Sequence, residues 1–118
     1  MAKHVVLVED EFLIALVIKK NLHRHGFVVT HFSSGEAFLA YYEGKPTIDV
    51  LILDVTLNKG ISGIGVFERI QANLQAPVVF TTGSIEHLPY FQQFPTQIVE
   101  VFIKPVDIEK LTQCLVRL

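Results

Sequence analysis

No disulfide bond is expected within the chain, because it contains a single cysteine, Cys114. That usage favours a reducing compartment, which we take to be the cytoplasm. The sequence also has no excess of charge: ten basic residues stand against twelve acidic ones, and the net charge is −2. Nucleic-acid binding requires a basic surface that neutralises phosphates. We therefore expect no nucleic-acid partner.

Long apolar runs are missing as well. The longest, residues 12–18, has seven members, whereas a membrane helix needs roughly 18. The first residues also lack the apolar stretch of a signal peptide, so no membrane association is expected. Linkers, repeats and low-complexity segments are not found, and 118 residues suffice for one domain but not for two. The expectation is a single domain over residues 1–118 without an output domain, as a monomer or weak dimer.

Apolar runs alternate with helical patterns, which is typical of a parallel α/β sheet. Strands are predicted at residues 5–8, 27–32, 48–53, 78–81 and 99–103. Helices are predicted at residues 12–25, from a capping box of Ser33 and Glu36 to about residue 43, at residues 66–74, and after an N-cap at Asp107. Pro89 and Pro95 argue against one long helix between residues 84 and 97, so a short or irregular helix is expected there.

Residues able to do chemistry follow four of the predicted strands. They are Glu9 and Asp10 after the first, Asp54 after the third, Thr82 after the fourth and Lys104 after the fifth. The carboxyl ends of parallel strands share one edge, where ligands bind. Each residue alone has an ordinary explanation, such as capping or solvation. Together they match acyl-phosphate formation, in which Mg²⁺ neutralises charge while a lysine and a hydroxyl hold the phosphoryl oxygens.

Four motifs occur in a fixed order along the chain: Val8-Glu9-Asp10-Glu11, the strand ending in Asp54, Phe80-Thr81-Thr82-Gly83, and Ile103-Lys104-Pro105. In these motifs the chain resembles the CheY-like receiver domains of two-component response regulators, over nearly its whole length. The resemblance implies an α/β fold of (βα)5 flavodoxin-like type, a doubly wound five-stranded parallel sheet in the order 2-1-3-4-5. It also implies a signalling phosphoacceptor rather than an enzyme, one that catalyses only its own phosphorylation and dephosphorylation.

The resemblance further implies a role for each matching residue. Asp54 would accept the phosphoryl group, and Thr82 and Lys104 would hold it. Mg²⁺ would be bound by oxygen donors: Glu9 (through water), Asp10, Asp54 and the backbone carbonyl of Thr56.

Neighbouring positions would govern access and lifetime. The family requires a small side chain at the position of Gly83, so that the phosphoryl group can be reached, and it has a cis bond between Lys104 and Pro105. Thr56 and Ser84 occupy the positions that tune the lifetime of the phosphoryl group. Because neither residue is acidic or carries an amide, slow self-dephosphorylation is expected.

One position departs from the family's usual pattern. Val101 stands where many receivers have the aromatic residue of their conformational switch, and strand alternation directs Phe102 to the opposite face. The chain resembles a subfamily with a Phe-Ala-Thr-Gly signature and a degenerate fourth helix, although it carries Thr81 in place of the alanine. We expect residues 84–97 to be mobile and to become ordered on phosphorylation.

The first helix has apolar residues on its predicted outer side, namely Phe12, Leu13 and Leu16. Either they pack under neighbouring loops or they form a docking patch for a kinase helical bundle. The expected partners are a histidine kinase or histidine phosphotransfer protein and an unknown downstream protein, reached by contact or by onward phosphotransfer.

Three other functions compete with this interpretation. A haloacid-dehalogenase-like phosphatase would need a second aspartate at the position of Thr56, and a flavodoxin-like binder would need a phosphate loop where Glu9 and Asp10 stand. A pseudo-receiver would act purely as an interaction module without taking phosphate. The five histidines lack metal-ligand spacing and are expected at the surface.

Overall fold

The computed structural model describes residues 2–118, in which strands and helices alternate. In chain order the elements are β1 His4–Val8, α1 Phe12–Arg24, β2 Val28–Phe32, α2 Gly35–Tyr42, β3 Val50–Asp54, α3 Gly63–Ile70, β4 Val78–Thr82, a 3₁₀ turn Ile85–His87, α4 Leu88–Phe91, β5 Ile98–Ile103 and α5 Ile108–Val116. The strands form one parallel sheet in the order β2-β1-β3-β4-β5, which confirms the predicted fold class. Among the described helices, none has the length and hydrophobicity needed to cross a membrane.

The strands send alternate side chains into two apolar cores on opposite faces of the sheet. Val6, Leu53 and Phe80 belong to the core that also contains side chains of α2, α3 and α4. Val5 and Ile52 belong to the core beneath α1 and α5. Both β3 and β4 are buried along their whole length. Because both faces of these two central strands are covered, their polar chemistry is confined to the strand ends.

The start of α2 differs from the sequence prediction. Ser34 is its N-cap, and its hydroxyl oxygen accepts a hydrogen bond from the N–H of Ala37 at 3.1 Å. Because the helix begins one residue later than predicted, Glu36 falls one position short of where a capping box needs it. The Glu36 carboxylate instead accepts a hydrogen bond from the N–H of Ile61. The predicted capping box of Ser33 and Glu36 was therefore wrong.

The third helix begins earlier than predicted. The hydroxyl of Ser62 accepts a hydrogen bond from the N–H of Gly65 at 3.1 Å, and α3 starts at Gly63. Glycine is a poor helix former. Because Gly63 and Gly65 lie in the first turn, the sequence pattern did not predict that the helix begins there.

The segment between β4 and β5 has the short helix that its prolines predicted. Pro89 lies in the first turn of the four-residue α4, where its missing N–H is tolerated. The segment is anchored by aromatic contacts: Phe91 stacks on Phe80 with ring centroids 4.6 Å apart, and Phe94 meets the edge of Phe67 at 5.1 Å. The expected irregular fourth helix is confirmed.

Candidate functional site

The ends of β1, β3 and β5 bring three of the predicted charged side chains together. The ammonium nitrogen of Lys104 lies 2.8 Å from Oδ2 of Asp54 and 3.7 Å from Oε1 of Glu9. Asp54 is only 1% exposed and Glu9 only 2%. A hydrogen-bonded ion pair therefore lies at the bottom of the site, and this juxtaposition follows from the parallel pairing of the strands.

Three carboxylates share this site. One oxygen each of Glu9, Asp10 and Asp54 lies within 4.8 Å of the other two. Glu9 and Asp54 are buried, while Asp10 is half-buried. Like charges at such distances repel strongly when water is scarce, so the arrangement favours a cation between them.

Each of these carboxylates is oriented by a backbone N–H. The three hydrogen bonds are Glu11 N–H to Glu9 Oε2 at 3.0 Å, Thr56 N–H to Asp54 Oδ1 at 3.1 Å and Asn58 N–H to Asp10 Oδ2 at 2.8 Å. Two of the donors belong to the loop between β3 and α3, residues 55–62, which we call the β3–α3 loop. That loop therefore orients two of the three carboxylates.

Burial and the neighbouring charges together shift the pKa values of Glu9 and Lys104. Burial raises the pKa of Glu9 from 4.5 to about 7, against the opposing effects of the Glu11 N–H and the Lys104 charge. Burial also disfavours the charged form of Lys104, but the hydrogen bond and charge of Asp54 outweigh it and hold the pKa of Lys104 above its usual value. The ammonium group therefore stays charged and compensates the charge of the neighbouring Asp54 carboxylate.

The donor set suits a hard divalent cation. All three candidate side chains offer carboxylate oxygens, and Oδ1 of Asp10 receives no hydrogen bond from residues 2–118. Mg²⁺ takes a few carboxylates and keeps several waters. The predicted acidic residues therefore fit this ion, with the half-buried Asp10 on the accessible side of the cluster.

Thr82 lies beside this cluster but bonds to its own loop. Its hydroxyl donates to the carbonyl oxygen of Ser84 and accepts from the N–H of Ser84, both at 3.2 Å. Gly83, between them, is exposed, and a Cβ there would meet no atom within 4 Å. The structure thus places Thr82, Gly83 and Ser84 at the same edge as Asp54, with the Thr82 hydroxyl engaged locally.

The residues around β5 match their predicted faces. Val101 is half-buried and packs on the core that contains α3 and α4. Phe102 packs on the opposite core, beneath α1 and α5, so it does not replace an aromatic at position 101. The bond between Lys104 and Pro105 is cis, as expected.

The outer side of α1 exposes apolar side chains next to the site. Phe12 is 70% exposed, Leu13 72%, and Leu16 36%. Val17, 52% exposed, extends this surface. We call these four residues the α1 patch. Phe12 and Leu13 are therefore too exposed to pack under neighbouring loops, and that alternative is excluded for these two residues.

Beside the α1 patch lies a groove of about 290 Å³ that sequence reasoning missed. Its lining comes from α1 and from the segment between β5 and α5: Leu13, Ile14, Val17, Lys104, Pro105, Val106 and Ile108. The spacing of Leu13 and Val17 on one helical face was a readable signal. The other wall was not readable, because only the tertiary fold brings residue 105 beside residue 13.

The histidines are not uniformly exposed. The ring of His31 is half-buried, with Nε2 2.7 Å from the carbonyl oxygen of Glu9. His4 is half-buried too, and its ring nitrogens contact the Thr47 carbonyl and the Thr30 hydroxyl. Neither residue is fully buried, so both remain at the surface as predicted, but β1 and β2 place their rings against neighbouring polar groups. No local sequence signal marked either contact.

A family model described as the response regulator receiver domain matches residues 5–116. The regulatory protein VanRc of Enterococcus gallinarum is 35% identical over 88 residues. That match covers 75% of this chain and 37% of VanRc, so the chain spans little more than a third of that protein.

Solved structures of similar shape were also found. The receiver domain of the hybrid histidine kinase CckA is 29% identical, with a TM-score of 0.79, and the match covers 97% of this chain and 96% of that one. The response regulator TrrA of Thermotoga maritima, solved in complex with Mg²⁺ and BeF, is 22% identical with a TM-score of 0.83, covering 98% and 97%. A CheY-like receiver domain from Methanospirillum hungatei reaches a TM-score of 0.85 at 18% identity, covering 99% and 93%.

Proposed function

Because the chain belongs to the family of response regulator receiver domains, we propose that it takes up a phosphoryl group on Asp54 with the help of Mg²⁺. The observation that carries the proposal is the meeting of Asp54, Glu9 and Asp10 with the Lys104 ammonium at one sheet edge. The donor of the phosphoryl group would be a histidine kinase or a histidine phosphotransfer protein. The phosphorylated chain would pass the signal on by protein contact or by onward phosphotransfer.

The reaction requires little beyond positioning and charge compensation. An oxygen of Asp54 attacks phosphorus, the new O–P bond forms, and the bond from phosphorus to the donor breaks as the donor keeps the electron pair. Lys104, already 2.8 Å from Asp54, stabilises negative charge on the transferred oxygens. Thr82 would turn its hydroxyl from Ser84 toward the same group.

Mg²⁺, when bound, supplies the charge that lets an anionic nucleophile approach an anionic phosphoryl group. Glu9, Asp10 and Asp54 would hold it, together with the carbonyl of Thr56. Burial of Glu9 and Asp54 keeps the surrounding dielectric low, which strengthens each of these interactions.

The test is direct phosphorylation of the wild-type protein. With Mg²⁺ and acetyl phosphate, intact mass spectrometry should show the addition of one phosphoryl group that hydroxylamine removes, and EDTA should prevent it. No addition from any donor would instead favour a pure interaction module, and repeated turnover of a phosphate ester would favour a phosphatase. The phosphoryl group on Asp54 is expected to be lost slowly, because the side chains of Thr56 and Ser84 carry no group that would orient an attacking water.

The signal would pass through residues 84–97. The Thr82 hydroxyl makes two hydrogen bonds to Ser84, the residue that opens the 3₁₀ turn, so a Thr82 that turns toward a phosphoryl group must release that residue. We propose that the released segment then packs in a more ordered arrangement, so amide hydrogen exchange with Mg²⁺ should show stronger protection of residues 84–97 with beryllofluoride than without it. Equal protection in both states would contradict the proposal.

The donor would dock on the α1 patch. Its side chains lie next to the phosphoacceptor edge, and the adjoining groove can receive apolar side chains from a helical bundle. Leu13→Asp and Leu16→Asp should lower phosphotransfer from the partner at least about tenfold yet leave uptake from acetyl phosphate unchanged. Val116→Asp is the control, because Val116 is an apolar residue on α5 whose exposure of 57% lies between those of Leu13 and Leu16. Unimpaired transfer from the partner to both α1 variants would refute the docking proposal.

A further inference from the structure

Glu36, in the first turn of α2, has a carboxylate that binds another element. Its Oε2 accepts a hydrogen bond from the N–H of Ile61 at 2.7 Å. Gly60 has a φ of +75°, and a Cβ there would overlap the Glu36 carboxylate. The left-handed backbone favours glycine at this position, and the missing side chain lets the carboxylate approach closely. The carboxylate is therefore seated directly against the backbone of the β3–α3 loop.

The α2 helix does not depend on Glu36 for its cap. Ser34 already supplies the N-cap hydrogen bond to Ala37. The principal hydrogen bond of the Glu36 side chain thus stabilises a loop that is distant in sequence rather than its own helix.

That loop carries the amides that orient two carboxylates of the proposed metal site. Thr56 N–H donates to Asp54 Oδ1, and Asn58 N–H donates to Asp10 Oδ2. At its far end the loop is fixed by the N–H of Gly63, which donates to the carbonyl of Val55 at 2.9 Å. Between Asn58 and Gly63, the hydrogen bond from the N–H of Ile61 to Glu36 anchors the loop to another element.

We propose that Glu36 is a positioning residue for the metal site: by holding the β3–α3 loop, it keeps the Thr56 and Asn58 amides where they orient Asp54 and Asp10. The proposal rests on the proposed function, since it concerns the affinity for Mg²⁺. Partners that hold metal ligands in place are worth about 10–100-fold in metal affinity. Glu36 acts through one further segment of backbone, so we expect a smaller effect.

The experiment compares Glu36→Ala with Glu36→Gln, which removes the charge but keeps an oxygen that can accept from Ile61. Glu43→Ala is a second control, because Glu43 is an exposed glutamate near the end of α2 whose side chain makes no hydrogen bond within residues 2–118. Isothermal titration with MgCl₂ should give a Kd about three- to tenfold weaker for Glu36→Ala. The Kd of the other two variants should stay within about twofold of the wild type.

Hydrogen exchange without Mg²⁺ tests the same contact independently. Amides of the β3–α3 loop should exchange faster in Glu36→Ala alone, with the rest of the chain unaffected. Equal Kd values for wild type and Glu36→Ala would overturn the positioning role but not the proposed function. Equal weakening by Glu36→Gln and Glu36→Ala would assign the effect to charge and likewise overturn it. Failure of the wild type to bind Mg²⁺ would overturn the proposed metal site and this inference together.

Discussion

Replacing Asp54 by asparagine is expected to abolish the uptake of phosphate from acetyl phosphate, with a loss of more than about a hundredfold. The amide has no anionic oxygen with which to attack phosphorus. It also removes one of the carboxylates that would bind Mg²⁺, and it replaces the charged partner of Lys104 by a neutral one. The measurement is intact mass spectrometry after incubation with Mg²⁺ and acetyl phosphate.

Asp107→Asn is the matched control for this variant. Asp107 caps α5, where its side chain accepts from the N–H of Lys110 at 3.1 Å, and asparagine caps helices about as well as aspartate. The same chemical change outside the site should leave phosphate uptake at the wild-type level. A phosphorylated Asp54→Asn protein would show that another residue accepts the phosphoryl group, and equal loss in both variants would show that the loss is not specific to Asp54.

Replacing Gly63 by alanine is expected to destabilise the protein by about 3 kcal/mol, the upper part of the range for overpacking. A Cβ on Gly63 would overlap the carbonyl oxygen of Asp54, and it would lie 2.7 Å from the Asp54 carbonyl carbon and 3.0 Å from Cα of Val55. These atoms belong to buried backbone and cannot move aside as a flexible side chain does. Alanine favours a helix over glycine by about 1 kcal/mol, which is too little to compensate.

Urea unfolding followed by circular dichroism measures this effect. Gly83→Ala is the control, because a Cβ there meets no atom within 4 Å, and its free energy of unfolding should change by less than about 0.5 kcal/mol. If Gly63→Ala is as stable as Gly83→Ala, the close packing of α3 against the end of β3 is not what the structure indicates. Folded Gly63→Ala protein should also take up phosphate more slowly, because the added methyl presses on the backbone of the proposed phosphoacceptor.

Both predictions concern the carboxyl edge of the sheet, where Asp54 lies. Most of the residues at this edge could be identified from the sequence. Apolar runs located the strands, and the residues directly after them were Glu9, Asp10, Asp54 and Lys104. In a parallel sheet the ends of neighbouring strands coincide, so their meeting could be inferred without coordinates. The prolines likewise indicated the short fourth helix, since proline lacks the N–H that a helix interior needs.

Tertiary structure alone decided how these side chains are held. The hydrogen bonds from Asn58 to Asp10 and from Ile61 to Glu36 join residues that are far apart in the sequence, and the groove beside the α1 patch has walls from two separate elements. The sequence pattern even assigned Glu36 to a capping box, an error of one residue that changed its partner completely. Periodicity reports which face of an element is buried, because that depends on near neighbours along the chain. Contacts between distant loops depend on how the elements pack, and no local pattern records that.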